Sequence, residues 1–140
     1  MSERVLFTGI TGYIGQHCAA ELLKQGYEVV GTVRSKSKAE STRTALANLT
    51  NTDRLSFVEA DLLLDDGWDK AITGCQFVMH VASPFMMEEP KDENLMITPA
   101  VEGTQRVIET ALRNGVKRLV LTSYTFAIIA GKESGRYGPE

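Results

Sequence analysis

Three glycines in the spacing G-x-x-G-x-x-G, Gly9, Gly12 and Gly15, stand between the apolar run Val5-Leu6-Phe7 and a helical pattern that opens at Tyr13. In a strand–turn–helix the first permits the tight turn, the second lets a phosphate approach the backbone, and the third lets helix pack on strand. The unpaired N–H groups and positive dipole end of that helix then face an anion. The first step is one residue longer than in the commonest G-x-G-x-x-G turn. A glycine-rich turn without a ligand is the plain alternative, but strand, turn and helix follow in the order that a nucleotide site requires.

A second group bears on which nucleotide. The next apolar run ends Gly31-Thr32-Val33-Arg34, followed by Ser35, Lys36, Ser37 and Lys38. A carboxylate at this place accepts from the ribose 2′-OH of NAD, whereas a basic residue suits the 2′-phosphate of NADP. No Asp or Glu occupies Thr32 to Ser35. Arg34 offers a planar fork and Lys36 or Lys38 a point charge, so the sequence favours NADP(H) over NAD(H). Asp61 reads either as an acceptor for an adenine amino group or as a cap for the following helix. Cys18 and Cys75 fit neither a disulfide framework nor a metal cluster. Glu88, Glu89, Asp92 and Glu93, with Lys91, read as a solvated loop and helix start, so no metal is expected.

The elements that must position these residues alternate between strand and helix. Strands are predicted at Val5 to Thr8, Glu28 to Val33, Leu55 to Val58, Gln76 to His80 and Val116 to Ser123. Helices are predicted from Tyr13 to Gln25, with Ile14, Cys18 and Leu22 at i, i+4 and i+8, and from Lys36 to Leu49. A short one, Trp68 to Ile72, is placed on the sheet edge. A long one from Asn94 to Asn114 carries Val101, Thr104, Ile108 and Ala111 along one stripe, with Pro99 bending it or starting its regular part. The pattern predicts an α/β fold: a doubly wound, Rossmann-type parallel sheet in the order 3-2-1-4-5, with its ligand at the switch point between strands one and four. Residues 1–131 form the domain and 132–140 a loop or disordered tail. Hydrophobic content of 43% and charged content of 24% are ordinary for a globular chain. A net charge of -3 gives no basic field for nucleic acid. No apolar run approaches the ~20 residues of a membrane span. A strand starts almost at once, leaving no room for a signal peptide, so the chain reads as cytoplasmic.

The sequence resembles the extended short-chain dehydrogenases/reductases, in the branch of dihydroflavonol reductase, cinnamoyl-CoA reductase and the yeast-type methylglyoxal/aldehyde reductases. The likeness rests on Thr8-Gly-Ile-Thr-Gly-Tyr-Ile-Gly15, Thr32-Val-Arg34, Ala60-Asp-Leu62, Gly74-Cys-Gln-Phe-Val-Met-His-Val-Ala-Ser-Pro84, Pro99-Ala-Val-Glu-Gly-Thr104 and Val116-Lys-Arg-Leu-Val-Leu-Thr-Ser123. It implies hydride transfer from NADPH to a small aldehyde or ketone. It also implies that Gly9, Thr11, Gly12, Tyr13, Ile14 and Gly15 hold the pyrophosphate, Arg34 and Lys38 the 2′-phosphate, and Asp61 with Leu62 the adenine. Val81, Ala82 and Ser83 would pass beside the nicotinamide ribose, and Thr122 and Ser123 would close the nicotinamide side. His80 is expected to be structural, its ring satisfied by backbone. Phe85, Met86 and Met87 are expected either to border a substrate pocket or to make a core or chain–chain contact.

The chain departs from this pattern at the chemistry. The family uses a Ser/Thr, Tyr, Lys trio, and Tyr124 stands here at the position of its serine, with Ser123 the nearest substitute. The Tyr-x-x-x-Lys pair is absent from the 140 residues, and Tyr137 does not replace it. The expectation is therefore the N-terminal part of a carbonyl reductase, truncated before the last strands and inactive by itself. A non-catalytic NADP-binding sensor or partner module is the alternative, and a sugar-nucleotide epimerase or dehydratase relative a weaker one. A fifth strand left at the edge, with Leu119, Val120 and Leu121, and the Ile128-Ile129 segment beyond it would favour self-association.

Overall fold

A computed structural model describes residues 2–83 and 91–135. Five parallel strands, β1 (Arg4–Thr8), β2 (Glu28–Val33), β3 (Leu55–Glu59), β4 (Phe77–His80) and β5 (Arg118–Leu121), form one sheet in the order β3-β2-β1-β4-β5. The helices between them are α1 (Tyr13–Lys24), α2 (Lys36–Ala47), α3 (Trp68–Ile72) and α4 (Asn94–Arg113), and α5 (Thr125–Ile129) follows β5. The register places Leu6 beside Val30 and Val78, and Phe7 beside Gly31 and Met79. Because successive strand residues face opposite sides, two cores result. One packs Phe7, Val29 and Val33 against Ala19, Ala20 and Leu23 of α1 and Leu46 of α2. The other packs Leu6, Val30 and Val78 against Trp68 and Ile72 of α3 and Val107 and Ala111 of α4. A doubly wound α/β sheet with its switch point between β1 and β4 is the result.

The α3 helix packs against the edge strand β3 and its neighbour β2, as expected, and its Trp68, Ala71 and Ile72 are buried in the core on that face. Other expectations need correction. The buried stripe of α1 is Gly15, Ala19, Ala20 and Leu23; Cys18 and Leu22 pack against that core partly buried, and Ile14 is exposed. The buried stripe of α4 is Gly103, Val107, Thr110 and Ala111, while Val101 is exposed. In both helices a glycine stands where a Cβ would crowd its neighbour, Gly15 against the Gly9 carbonyl and Gly103 against Leu62. The α4 helix runs through Pro99 from Asn94. The β5 strand is shorter than Val116 to Ser123 because the chain leaves the ladder after Leu121 and turns into α5 at Thr125. No helix among the described residues is long and apolar enough to cross a membrane.

Candidate functional site

The carboxyl ends of β1 and β4 are joined by a buried polar knot. Thr8 and His80 are register partners, and Thr8 Oγ1 lies 2.6 Å from His80 Nδ1. The same oxygen accepts the N–H groups of Val81 and Ala82, each at 3.1 Å. With both lone pairs engaged, the hydroxyl hydrogen is left for the imidazole. Nδ1 is then the acceptor, and the neutral ring carries its hydrogen on Nε2. Burial agrees with this assignment, holding His80 below its ordinary value of 6.5 because the charged ring is desolvated. The ring is therefore satisfied by a side chain rather than by backbone, and Thr8 is what takes up the backbone.

This knot sets Val81 and Ala82 directly against the glycine turn. Gly9 has φ +78, a left-handed conformation, and a Cβ there would stand 2.7 Å from Ala82 N. The Gly12 N–H closes the turn onto the Gly9 carbonyl at 3.2 Å. A Cβ on Gly15 would come within 1.9 Å of that same carbonyl oxygen. Strand end, turn and helix thus interlock through two positions that tolerate no side chain. Gly12 differs: a Cβ there would meet only the Gly9 oxygen, at 3.5 Å, so its outer face is open. The first helical bond of α1 is Gln16 N–H to the Gly12 carbonyl, 2.9 Å, and no side chain caps the helix. The N–H groups of Tyr13, Ile14 and Gly15 precede that bond and have no carbonyl one turn back to meet. Thr11, Tyr13 and Ile14 are exposed around them. This is the chemistry of an anion cradle.

The ends of β2 and β3 lie to one side. Arg34 and Lys38 are exposed, and the Ser35 hydroxyl caps α2 by accepting Lys38 N–H at 3.4 Å. Among the described residues no carboxylate pairs with Arg34, Lys36 or Lys38. Ala60 N–H reaches the Val33 carbonyl at 3.0 Å and carries the β3 end alongside β2. Asp61 Oδ1 accepts Leu63 N–H at 2.9 Å. The carboxylate thus closes a turn and does not cap α3, whose cap is Gly67. Leu62 is half-buried beside it. On the far side, Thr122 N–H donates to the His80 carbonyl at 3.0 Å, extending the β4–β5 pairing by one step. Ser83, Ser123 and Tyr124 are exposed, and the Tyr124 ring stacks on Phe126 with centroids 6.1 Å apart. Phe85, Met86, Met87 and Tyr137 lie outside the described residues. The Cys75 thiol is buried, and that burial pushes it up to about 11. Sequence reasoning quoted Thr8 without assigning it work, and it passed over Arg106 altogether.

A doubly wound parallel sheet with the first amides of its first helix at the switch point defines a dinucleotide-binding domain. Residues 5–134 match the NAD dependent epimerase/dehydratase family. The chain belongs to that family. It is 38% identical over 125 residues to tetraketide alpha-pyrone reductase 1 of Arabidopsis thaliana, covering 86% of this chain and 37% of the relative. It is likewise 38% identical over 120 residues to dihydroflavonol 4-reductase of Hordeum vulgare, covering 85% of this chain and 34% of that protein. Among solved structures it is similar to yeast methylglyoxal/isovaleraldehyde reductase complexed with NADPH, at TM-score 0.76 and 32% identity over 89% of this chain and 38% of that one. The chain therefore spans little more than a third of the length of these relatives, and the likeness lies in their dihydroflavonol reductase-like branch.

Proposed function

We propose that this chain binds NADP(H) and is the cofactor-binding N-terminal part of a carbonyl reductase that passes the nicotinamide hydride to an aldehyde or ketone. The observation that carries the reading is the set of amides at Tyr13, Ile14 and Gly15 that precede the first helical bond, beside the open face of Gly12 at the switch point. In this reading Gly9, Thr11, Gly12, Tyr13, Ile14 and Gly15 hold the diphosphate, and Asp61 with Leu62 receives the adenine. Val81, Ala82 and Ser83 line the nicotinamide ribose, with Thr122 closing the far side. Arg34 and Lys38 meet the 2′-phosphate, supported by their exposure and by the absence of a carboxylate partner among the described residues. A cytoplasmic location fits two free cysteines.

Hydride transfer to a carbonyl requires a proton for the oxygen, from an acid within hydrogen-bond reach. Ser123 and Tyr124 are the residues at the family's hydroxyl position, but no Tyr-x-x-x-Lys occurs in the sequence. On this reading the 140-residue chain binds cofactor without turning it over. The exposed Tyr124, engaged with Phe126, favours a second reading, a non-catalytic NADP-binding module. Calorimetric titration with NADPH and NADH tests the binding proposal: tighter NADPH binding is expected, and equal or inverted affinities overturn the 2′-phosphate assignment. NADPH consumption with a panel of aldehydes and ketones, followed by absorbance, separates the readings. Turnover above blank would overturn the expected inactivity. The exposed β5 edge and the wholly exposed α5 further support self-association through this side.

A further inference from the structure

We propose that Arg106, on α4, is the positioning residue for the adenosine end of the dinucleotide groove, holding the loop 61–65 in the shape that receives the base. The inference rests on the NADP(H)-binding reading above and adds a residue from a helix with no other part in it.

Three anchors hold this loop, and each reaches it from α3, α4 or the loop itself. Arg106 Nη1 donates to the Leu62 carbonyl, while its Nε donates to Asp65 Oδ1 at 2.6 Å. The Trp68 indole N–H is shared between the carbonyls of Asp61 and Leu64, each at 3.0 Å. Asp61 Oδ1 takes the Leu63 N–H. The carbonyls of residues 61, 62 and 64 are thereby all engaged. Asp61 Oδ2 carries no hydrogen bond among the described residues. The two ends of the Arg106–Asp65 pair are unequal: the arginine side chain is 18% exposed and the aspartate 91%. An ion pair so open to water contributes little by itself. The guanidinium's bond to a backbone carbonyl one residue from Asp61 is the part that fixes geometry, and its planar fork is what lets one side chain serve both ends of the turn.

Gly103, one turn earlier on α4, makes this approach possible. A Cβ at that position would stand 3.0 Å from Leu62 Cβ, so the loop lies as close to the helix as side chains permit. Arg106 and Gly103 therefore set, together, how far Leu62 and Asp61 stand from the end of β2, where the adenosine would lie.

The test separates the two halves of the cofactor. Adenosine 2′,5′-bisphosphate, titrated by calorimetry, probes one half. Reduced nicotinamide mononucleotide, followed by the amide shifts of Val81 and Ala82, probes the other. R106M is expected to weaken bisphosphate binding about tenfold and leave the mononucleotide unchanged. R106K, which keeps charge but not the fork, should fall between, and D65A should stay within about twofold of the parent. If R106M does not fold, R106Q carries the same test, because it too removes the guanidinium fork that joins the Leu62 carbonyl to Asp65. Unchanged binding of both probes, or equal loss of both, overturns the proposal. A parent chain that ignores the bisphosphate overturns the NADP(H) reading itself, and this inference with it.

Discussion

Replacing Thr8 with valine keeps the shape of the side chain and removes one oxygen, so its cost follows from that oxygen's three partners. Val81 N–H retains the Thr8 carbonyl at 3.3 Å. Ala82 N–H and His80 Nδ1 lose their bonds to Oγ1 outright. An unsatisfied buried polar group costs about 1–3 kcal/mol. His80 is fully buried and bears the larger share, while Ala82 is only half-buried and regains water in part. The sum is about 3 kcal/mol for T8V, a large fraction of the ~5–15 kcal/mol that holds a domain together. T8S keeps the hydroxyl and loses one methyl, at about 1 kcal/mol. Urea unfolding followed by the emission of Trp68, the sole tryptophan and a buried one, measures both. With a slope of about 2 kcal/mol per molar, T8V should unfold roughly 1 M earlier than T8S. Coincident transitions would refute the hydroxyl accounting, and with it the neutral Nε2–H assignment of His80.

Three further outcomes follow from the same geometry. Because burial lowers the His80 pKa, the unfolded chain takes up that proton first; the contribution is present above about pH 6.5 and is lost as pH falls below it. Thermal melts from about pH 8 to 5 should show this decline, and H80Q, which cannot titrate, should flatten it. G15A sets a methyl against the Gly9 carbonyl, which is backbone and cannot move aside; a loss of at least 1–3 kcal/mol, roughly, and of NADPH affinity is expected from chemical denaturation and calorimetry. Sedimentation should show concentration-dependent association that L121K, on the exposed β5 edge, reduces; a monomer at high concentration would contradict the edge-pairing account.

Strand order and the glycine turn were legible because alternating apolar and helical runs leave few topologies for a parallel sheet. Helix rotation was not. In α1 the larger side chains Ile14, Cys18 and Leu22 outweigh Gly15, Ala19 and Ala20 in any count of hydropathy. Yet the small residues are the buried ones, and Gly15 stands where a Cβ would crowd the Gly9 carbonyl. The same happens in α4, where Gly103 rather than Val101 meets the layer below. Asp61 offered two uses and the fold chose a third for one of its oxygens, a turn closed on Leu63. Arg106 left no mark in the sequence, since its partner carbonyl lies 44 residues away and a backbone acceptor has no residue type to recognise. The end of β5 was read too long because Thr122 and Ser123 follow the apolar run Leu119-Val120-Leu121 with no Gly or Pro to mark a stop, while only the Thr122 N–H continues the ladder.

The central claim is that the first amides of α1 hold the cofactor diphosphate, and amide chemical shifts test it most directly. On titration with NADPH, the largest movements should fall on Gly9, Gly12, Tyr13, Ile14 and Gly15, with Ala82 following through the Thr8 knot. A folded chain whose amides at these positions stay still at millimolar NADPH, or which binds with its shifts elsewhere, would contradict the account.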